Sequence, residues 1–122
     1  MAAKDELGLL GERLAERHLT RGGMELLDRN WRCSQGEIDL VLRDGDEIVF
    51  VEVKTRASVA FGHPLEAITP VKLARLRRLA GEWCAIRRAE GRAIGRIRID
   101  AVGVVAPRHA PATVDHLAGV FR

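Results

Sequence analysis

The residues of this sequence that are best suited to chemistry are four charged side chains in two consecutive predicted strands. Glu37 and Asp39 belong to the first strand, and Glu52 and Lys54 belong to the second. Side chains two residues apart in a strand project from the same face. Glu52 and Lys54 therefore share a face with Phe50, in a strand that is otherwise apolar. Charges in such a position are costly unless they are paired or bind a metal ion.

The turn between the two strands decides which carboxylates face each other. If Gly45-Asp46 forms a two-residue turn, Asp39 lies opposite Glu52. If Asp44-Gly45 forms it, Glu37 lies opposite Glu52 instead. Both registers place all three carboxylates on the face that carries the lysine. Opposed side chains are about 5 Å apart at Cβ, and two carboxylates that close repel each other unless a cation lies between them.

Asp39 and Glu52 are accordingly the candidate ligands of a magnesium ion, because Mg²⁺ prefers oxygen ligands and retains bound water. Such an ion could polarise a phosphate and lower the pKa of a water molecule. Lys54 would position or activate that water, or stabilise negative charge in the transition state. Lysine is rare here, since arginine fills 17 of the 20 basic positions, and unlike arginine it can release its proton. The spacing alone leaves open a plain cross-strand Lys–Glu pair on a solvated face.

Two predicted helices flank these strands. The first covers about residues 5–21. Its apolar stripe, read from helical spacing, consists of Leu7, Leu10, Leu14 and His18. Glu12 lies beside this stripe. The second helix begins after Thr69, which suits an N-cap, has Pro70 in its first turn and ends near Glu90. Its predicted apolar stripe consists of Leu76, Leu79, Ala80 and Trp83.

Five strands complete the predicted fold. They cover about residues 25–33, 37–43, 47–55, 96–105 and 113–121. The order of elements is α-β-β-β-α-β-β, which predicts an α/β domain around a mixed central sheet. The chain has 122 residues, of which 47% are hydrophobic, and this fits a single domain over residues 1–122.

The composition excludes several classes of protein. The N-terminus lacks an apolar run behind a basic start, and no stretch reaches the roughly 18 apolar residues of a membrane span. We therefore expect neither a secretory signal nor a membrane protein. Cys33 and Cys84 lie far apart without a C-x-x-C motif, and the four histidines lack the spacing of zinc ligands. We expect a cytoplasmic protein whose two thiols are reduced and pack as small apolar groups.

The net charge of +3 conceals an uneven distribution. Residues 71–98 carry nine basic and two acidic side chains, a charge of +7, whereas the rest of the chain carries −4. Neutralisation of phosphates by basic side chains dominates non-specific affinity for nucleic acids, although a solvated helix face is the plainer explanation. The candidate phosphate contacts are Thr55, Arg56, Lys72, Arg75 and Arg78. Aromatic residues make up 4% of the chain, so platforms for base stacking are scarce.

Several motifs of the chain resemble the bacterial YraN-type family. They are Gly11-Glu12, Asn30-Trp31-Arg32, Gly36-Glu37-Ile38-Asp39, the segment 50–56, Phe61-Gly62 and Lys72. Asp39 followed by Glu52-Val53-Lys54 also resembles the PD-(D/E)xK pattern of nucleases with the restriction-endonuclease-like fold. The proline of that pattern is absent, because position 38 is isoleucine. The YraN-type family is in turn similar to archaeal Holliday-junction resolvases.

The resemblance implies a restriction-endonuclease-like core, α-β-β-β-α-β, and a metal-dependent endonuclease. By that similarity Glu12, Asp39, Glu52 and Lys54 occupy the catalytic positions, and the metal ion is Mg²⁺ or Mn²⁺. The resemblance further implies a DNA substrate rather than RNA, including branched or recombination intermediates, and a homodimer. The alternatives are a non-catalytic nucleic-acid-binding module of the same fold and a protein-interaction scaffold.

Overall fold

The fold is given by a computed structural model that describes residues 5–121. The two α-helices in this range are α1 (Glu6–Arg21) and α2 (Pro70–Ala89). The five strands are β1 (Glu25–Cys33), β2 (Gly36–Asp44), β3 (Glu47–Arg56), β4 (Ile97–Val105) and β5 (Thr113–Phe121). Residues 1–4, on which the expected absence of a secretory signal depends, and Arg122 lie outside the described range.

The strands form one mixed sheet in the order β1-β2-β3-β4-β5. β3 and β4 are parallel, and the other neighbours are antiparallel. The predicted order of elements is therefore confirmed, with the addition of a short 3-10 helix over Pro64–Ala67, where the sequence predicts a loop. His63 and Glu66 cap that helix reciprocally. None of the helices in the described residues has the length and apolar character needed to cross a membrane.

One helix covers each face of the sheet. Val49, Val51 and Val53 of β3 belong to the cluster that packs against α1, whereas Ile48 and Phe50 belong to the cluster that packs against α2. The predicted alternation of β3 is thus confirmed. The predicted stripe of α2 is also confirmed, since all of its members are buried: Leu76, Leu79, Ala80 and Trp83. Cys84 packs beside this stripe, and burial raises the pKa of its thiol.

The predicted stripe of α1 is confirmed only in part. Leu7 and Leu14 are partly buried and pack against the core, whereas Leu10 and His18 are exposed. The fully buried residues are Gly11, Glu12, Ala15 and Leu19. The fully buried face is therefore rotated by about 100°, the turn between successive residues, from the predicted stripe. The physical reason is close approach to the sheet: Gly11 and Ala15 are small, and a Cβ added to Gly11 would lie 2.6 Å from the Cβ of Thr55.

We expect Gly11→Ala to lower the free energy of unfolding by about 1–3 kcal/mol, because the added methyl group overlaps Thr55 and pushes α1 away from the sheet. Gly81→Ala in α2 is the matched control, since a Cβ there meets no atom within 4 Å. It should raise the free energy of unfolding by about 0.5–1 kcal/mol through helix propensity alone. Urea unfolding measures both changes, and a neutral Gly11→Ala would contradict the close contact.

The hairpin of β2 and β3 turns at Gly45-Asp46, which is one of the two alternatives that the sequence allows. Asp44 pairs with Glu47 across this turn. The glycine of the turn has a φ of 63°, and a positive φ at the first turn residue is typical of tight two-residue hairpins. Continued along the strands, the register places Asp39 opposite Glu52.

Candidate catalytic and metal-binding site

The candidate site begins where β2 and β3 stop pairing as a regular ladder. The paired residues continue as far as Leu40 and Val51. At the next position the hydrogen bond between the strands comes from a side chain instead of the backbone. Oδ2 of Asp39 accepts the N–H of Val53 at 2.8 Å. This hydrogen bond fixes the Asp39 carboxylate, which is 6% exposed, between the two strands.

Three carboxylates from two elements converge at this point. Glu12 of α1 and Glu37 and Asp39 of β2 form an acidic cluster, and one carboxylate oxygen of each lies within 4.8 Å of the other two. Glu12 is buried at 5% exposure, although the sequence gives no independent sign that it faces inward. At an effective dielectric constant near 20, two ionised carboxylates at this separation repel by about 3 kcal/mol. The acidic cluster is therefore a place where a cation would be strongly stabilised.

Asn30 of β1 belongs to the Asn30-Trp31-Arg32 motif of the sequence, which predicts no role for it at the site. Its Nδ2 donates to Oε1 of Glu12 at 2.6 Å and to Oε1 of Glu37 at 3.4 Å. Among the described non-glycine residues it alone has a positive φ, 52°, a conformation that asparagine tolerates better than most residues. Backbone strain of this kind persists where the surrounding structure requires it. The available signal is a poor strand former inside a predicted strand.

Arg32, two residues further along β1, gives Glu37 a second partner. Its Nε donates to Oε2 of Glu37 at 2.7 Å. Together with Asn30, it fixes the orientation of the Glu37 carboxylate from one side. Two edge-strand side chains thus hold members of the acidic cluster in place.

Lys54 lies where two clefts meet. The first cleft, of ≈ 240 Å³, lies beside α2. All four residues predicted to share a strand face line it: Glu37, Asp39, Glu52 and Lys54. The second cleft, of ≈ 260 Å³, lies beside α1 and is lined by Glu12, Lys54 and Thr55, among others. Lys54, an exposed residue, therefore lines both the cleft of Glu37 and Asp39 and the cleft of Glu12.

Glu37 takes a more central place than sequence reasoning assigns to it. The sequence selects Asp39 and Glu52 as metal ligands, whereas the acidic cluster combines Asp39 with Glu37 and Glu12. Glu52 is half-buried and lines the same cleft without being part of that close group. The sequence does carry a signal for Glu37, because both possible hairpin registers place it on the face of the other carboxylates.

The candidate phosphate contacts lie in three places. Lys72 and Arg75 of α2 line the cleft that contains the acidic residues. Thr55 and Arg56 line a groove at the end of β3, and Thr55 also lines the cleft beside α1. Arg78 is exposed on α2 and lines none of these depressions. Of these candidate contacts, Lys72 and Arg75 therefore share the cleft of Glu37, Asp39 and Glu52.

Comparison with known proteins gives a consistent family. The model of the family described as "Uncharacterised protein family UPF0102" matches residues 11–104. A UPF0102 protein of Kineococcus radiotolerans is 59% identical over 118 residues, covering 97% of this chain and 95% of that protein. UPF0102 proteins of Beutenbergia cavernae and Nocardioides sp. are each 57% identical, and the matches cover 98% of this chain and 99% and 94% of those proteins. The chain therefore belongs to the uncharacterised protein family UPF0102, the YraN-type family that its motifs resemble.

Proposed function

We propose that this protein is a Mg²⁺-dependent endonuclease that cleaves DNA by attack of a water molecule on a phosphodiester. The observation that carries the proposal is the acidic cluster, in which Glu12, Glu37 and Asp39 converge beside Lys54 of the E-x-K motif. Bringing several carboxylates together where they are poorly exposed destabilises the folded state. Where a sequence retains such a destabilising arrangement, the position is usually a functional site. DNA as the substrate follows from the resemblance to restriction-endonuclease-like nucleases.

The donor atoms of the acidic cluster suit a hard divalent cation. Carboxylate oxygens are the ligands that Mg²⁺ and Mn²⁺ prefer, and the adjoining clefts leave room for the water molecules that these ions retain. Glu12, Glu37 and Asp39 would hold the ion, and Glu52, in the same cleft, would be a further ligand. When bound, a divalent ion would supply polarisation of the phosphate and a water molecule of lowered pKa.

The remaining side chains would orient the carboxylates and neutralise the substrate. Asn30 and Arg32 hold Glu37, and Asn30 also holds Glu12, so the donor oxygens are placed before any ligand arrives. The ammonium group of Lys54 would stabilise negative charge that develops on the phosphate, or position the attacking water. Such preorganised groups need no rearrangement at the moment of reaction.

A nucleic-acid-binding module without turnover is the second candidate function. The observation that favours it is the presence of Lys72 and Arg75 in the lining of the cleft that also contains the carboxylates. Phosphate neutralisation by such residues requires no metal ion and weakens steeply with salt. This candidate predicts salt-sensitive DNA binding that survives Asp39→Ala and needs no divalent ion.

Glu12→Gln should lower Mg²⁺-dependent DNA cleavage by at least about 10–100-fold, because that loss is typical even for residues that only orient a metal ligand. The amide oxygen of glutamine can still accept the Asn30 hydrogen bond, so the fold is expected to survive. Glu16→Gln is the matched control on the same helix, because Glu16 pairs with Arg29 and lines neither of the two clefts. The measurement is cleavage of linear, flapped and four-way DNA with Mg²⁺ or Mn²⁺.

Equal loss of activity in the Glu12 and Glu16 variants would point to general destabilisation of α1 and would remove Glu12 from the proposed site. The absence of cleavage of every DNA in the panel by the wild-type protein would decide against the nuclease. In the second case, salt-sensitive binding without a divalent ion would establish the binding module instead.

A further inference from the structure

Phe61 is the most exposed of the large hydrophobic residues in the described chain, with 91% of its surface accessible. It is part of neither core cluster. Its backbone is nevertheless fixed, because Nη1 of Arg56 donates to the Phe61 carbonyl at 3.0 Å. The N–H of Gly62 also donates to the carbonyl of Val59 at 3.0 Å. Packing of the core therefore does not explain an aromatic side chain at this position.

Phe61 forms one wall of a groove of ≈ 390 Å³ at the end of β3, here called the Phe61 groove. Its other lining residues are Leu7, Lys54, Thr55, Arg56, Ala57 and Ser58. The groove thus combines apolar surface with two cations and two hydroxyl groups, and its lining contains no carboxylate. Its volume falls in the usual range of ligand pockets, roughly 300–1,000 Å³. This chemistry fits a planar apolar group attached to an anion.

The Phe61 groove continues into the candidate active site. Lys54 and Thr55 line the groove and also line the cleft that contains Glu12. If one phosphate of a DNA strand lies at the acidic cluster, the next nucleotide of that strand would therefore lie near Phe61. The cations of the groove would meet the adjoining phosphate, and the aromatic ring would meet the base.

We propose that the Phe61 groove binds the base of an unpaired nucleotide next to the phosphate that is cleaved. This inference deepens the proposed function and rests on its DNA substrate. Every base has a π-face that can stack on an aromatic side chain, so such a contact selects for structure rather than for sequence. A base inside a duplex is already stacked and paired, and a protein that reads a base face must find it unstacked. The substrate class is therefore DNA with unpaired nucleotides, such as single strands, flaps and bulges.

The test measures binding of DNA that carries 2-aminopurine, with Ca²⁺ replacing Mg²⁺ so that turnover does not interfere. Phe61→Ala should weaken binding of single-stranded and flapped DNA by about tenfold and leave the affinity for duplex DNA unchanged. It should also abolish the fluorescence change of 2-aminopurine at the unpaired position. Phe61→Trp should preserve both, because it keeps an aromatic face. Val71→Ala removes another exposed apolar side chain, 78% accessible and outside the groove, and should change neither.

Three outcomes would overturn the groove proposal. They are equal weakening for paired and unpaired DNA, no weakening at all, and a change in self-association by sedimentation in place of a change in DNA affinity. The last would identify Phe61 as a contact between copies of the chain. Selective binding that depends on Phe61, found together with no cleavage under Mg²⁺, would overturn the nuclease alone. Cleavage of duplex and flapped DNA without Phe61 dependence would overturn the groove alone.

Discussion

Lys54→Ala should lower Mg²⁺-dependent DNA cleavage by about 10²–10⁴-fold, the range for loss of a group that transfers or stabilises charge in the transition state. The reason is position, since Lys54 lines the cleft of Asp39 and Glu52 and also the cleft of Glu12. Stability should change little, because the side chain is exposed at the end of β3. Single-turnover cleavage with enzyme in excess measures the chemical step apart from substrate binding.

Lys54→Arg separates charge from geometry. It keeps a positive charge, but it replaces a compact ammonium group with a planar guanidinium that does not release its proton. We expect the Lys54→Arg variant to bind DNA with wild-type affinity, while its cleavage rate stays at least about tenfold below that of the wild-type protein. Arg17→Ala, on the exposed side of α1, is the control for loss of one positive charge. Wild-type cleavage by Lys54→Ala would remove Lys54 from the mechanism.

The hairpin that carries the E-x-K motif could be predicted closely because its information is local. Strand alternation places Glu52 and Lys54 on one face, and both candidate turns preserve that result. What the sequence leaves open is the register, because Asp44-Gly45 and Gly45-Asp46 are both acceptable turns. The positive φ of Gly45 and the Asp44–Glu47 pairing select the second. A choice between two turns with similar propensity depends on the whole sheet.

The acidic cluster could be predicted only in part because α1 and β2 build it together and Asn30 of β1 holds it in place. Hydrophobic spacing predicts that α1 turns its leucines towards the sheet. In the structure, close packing on β3 instead turns the small residues Gly11 and Ala15 towards the sheet. That rotation of one residue brings Glu12 inward. The contact of Asn30 with Glu12 joins residues 18 positions apart, and no periodicity within either element contains it. Local patterns therefore locate the carboxylates, whereas tertiary packing decides which of them meet.

Phe61 shows a different limit of the sequence. An aromatic content of 4% correctly indicates that stacking platforms are few. Composition does not say whether an individual ring is buried, and Phe50 and Phe61 lie at opposite extremes, fully buried and 91% exposed. An aromatic residue therefore indicates a stacking contact when it is exposed next to a candidate site, whatever the number of aromatic residues in the chain.

Asp100 of β4 is a buried charge outside the acidic cluster, to which the sequence gives no role, and its role is structural. It is 0% exposed and accepts from two nitrogens of Arg98, at 2.9 and 3.1 Å, and from the N–H of Gly119 at 2.9 Å. Nε2 of His116 lies 2.7 Å from its Oδ2. The hydrogen bond to Asp100 also raises the pKa of Arg98. These contacts hold β5 where its register with β4 shifts.

Asp100→Asn should lower the free energy of unfolding by about 3–5 kcal/mol, the usual cost of breaking a buried ion pair. The amide oxygen of asparagine can still accept the N–H of Gly119. Its NH₂ group, however, would point at the N–H groups of Arg98 and His116, and these donors would lose their acceptor. Asp44→Asn is the matched control. Asp44 also contacts Arg98, at 3.0 Å, but its side chain is 45% exposed, so its loss should cost less than about 1 kcal/mol. Urea unfolding of the two variants gives the comparison. Equal and small changes would show that Arg98 is satisfied by its outer partners and that Asp100 does not hold the β4–β5 edge together.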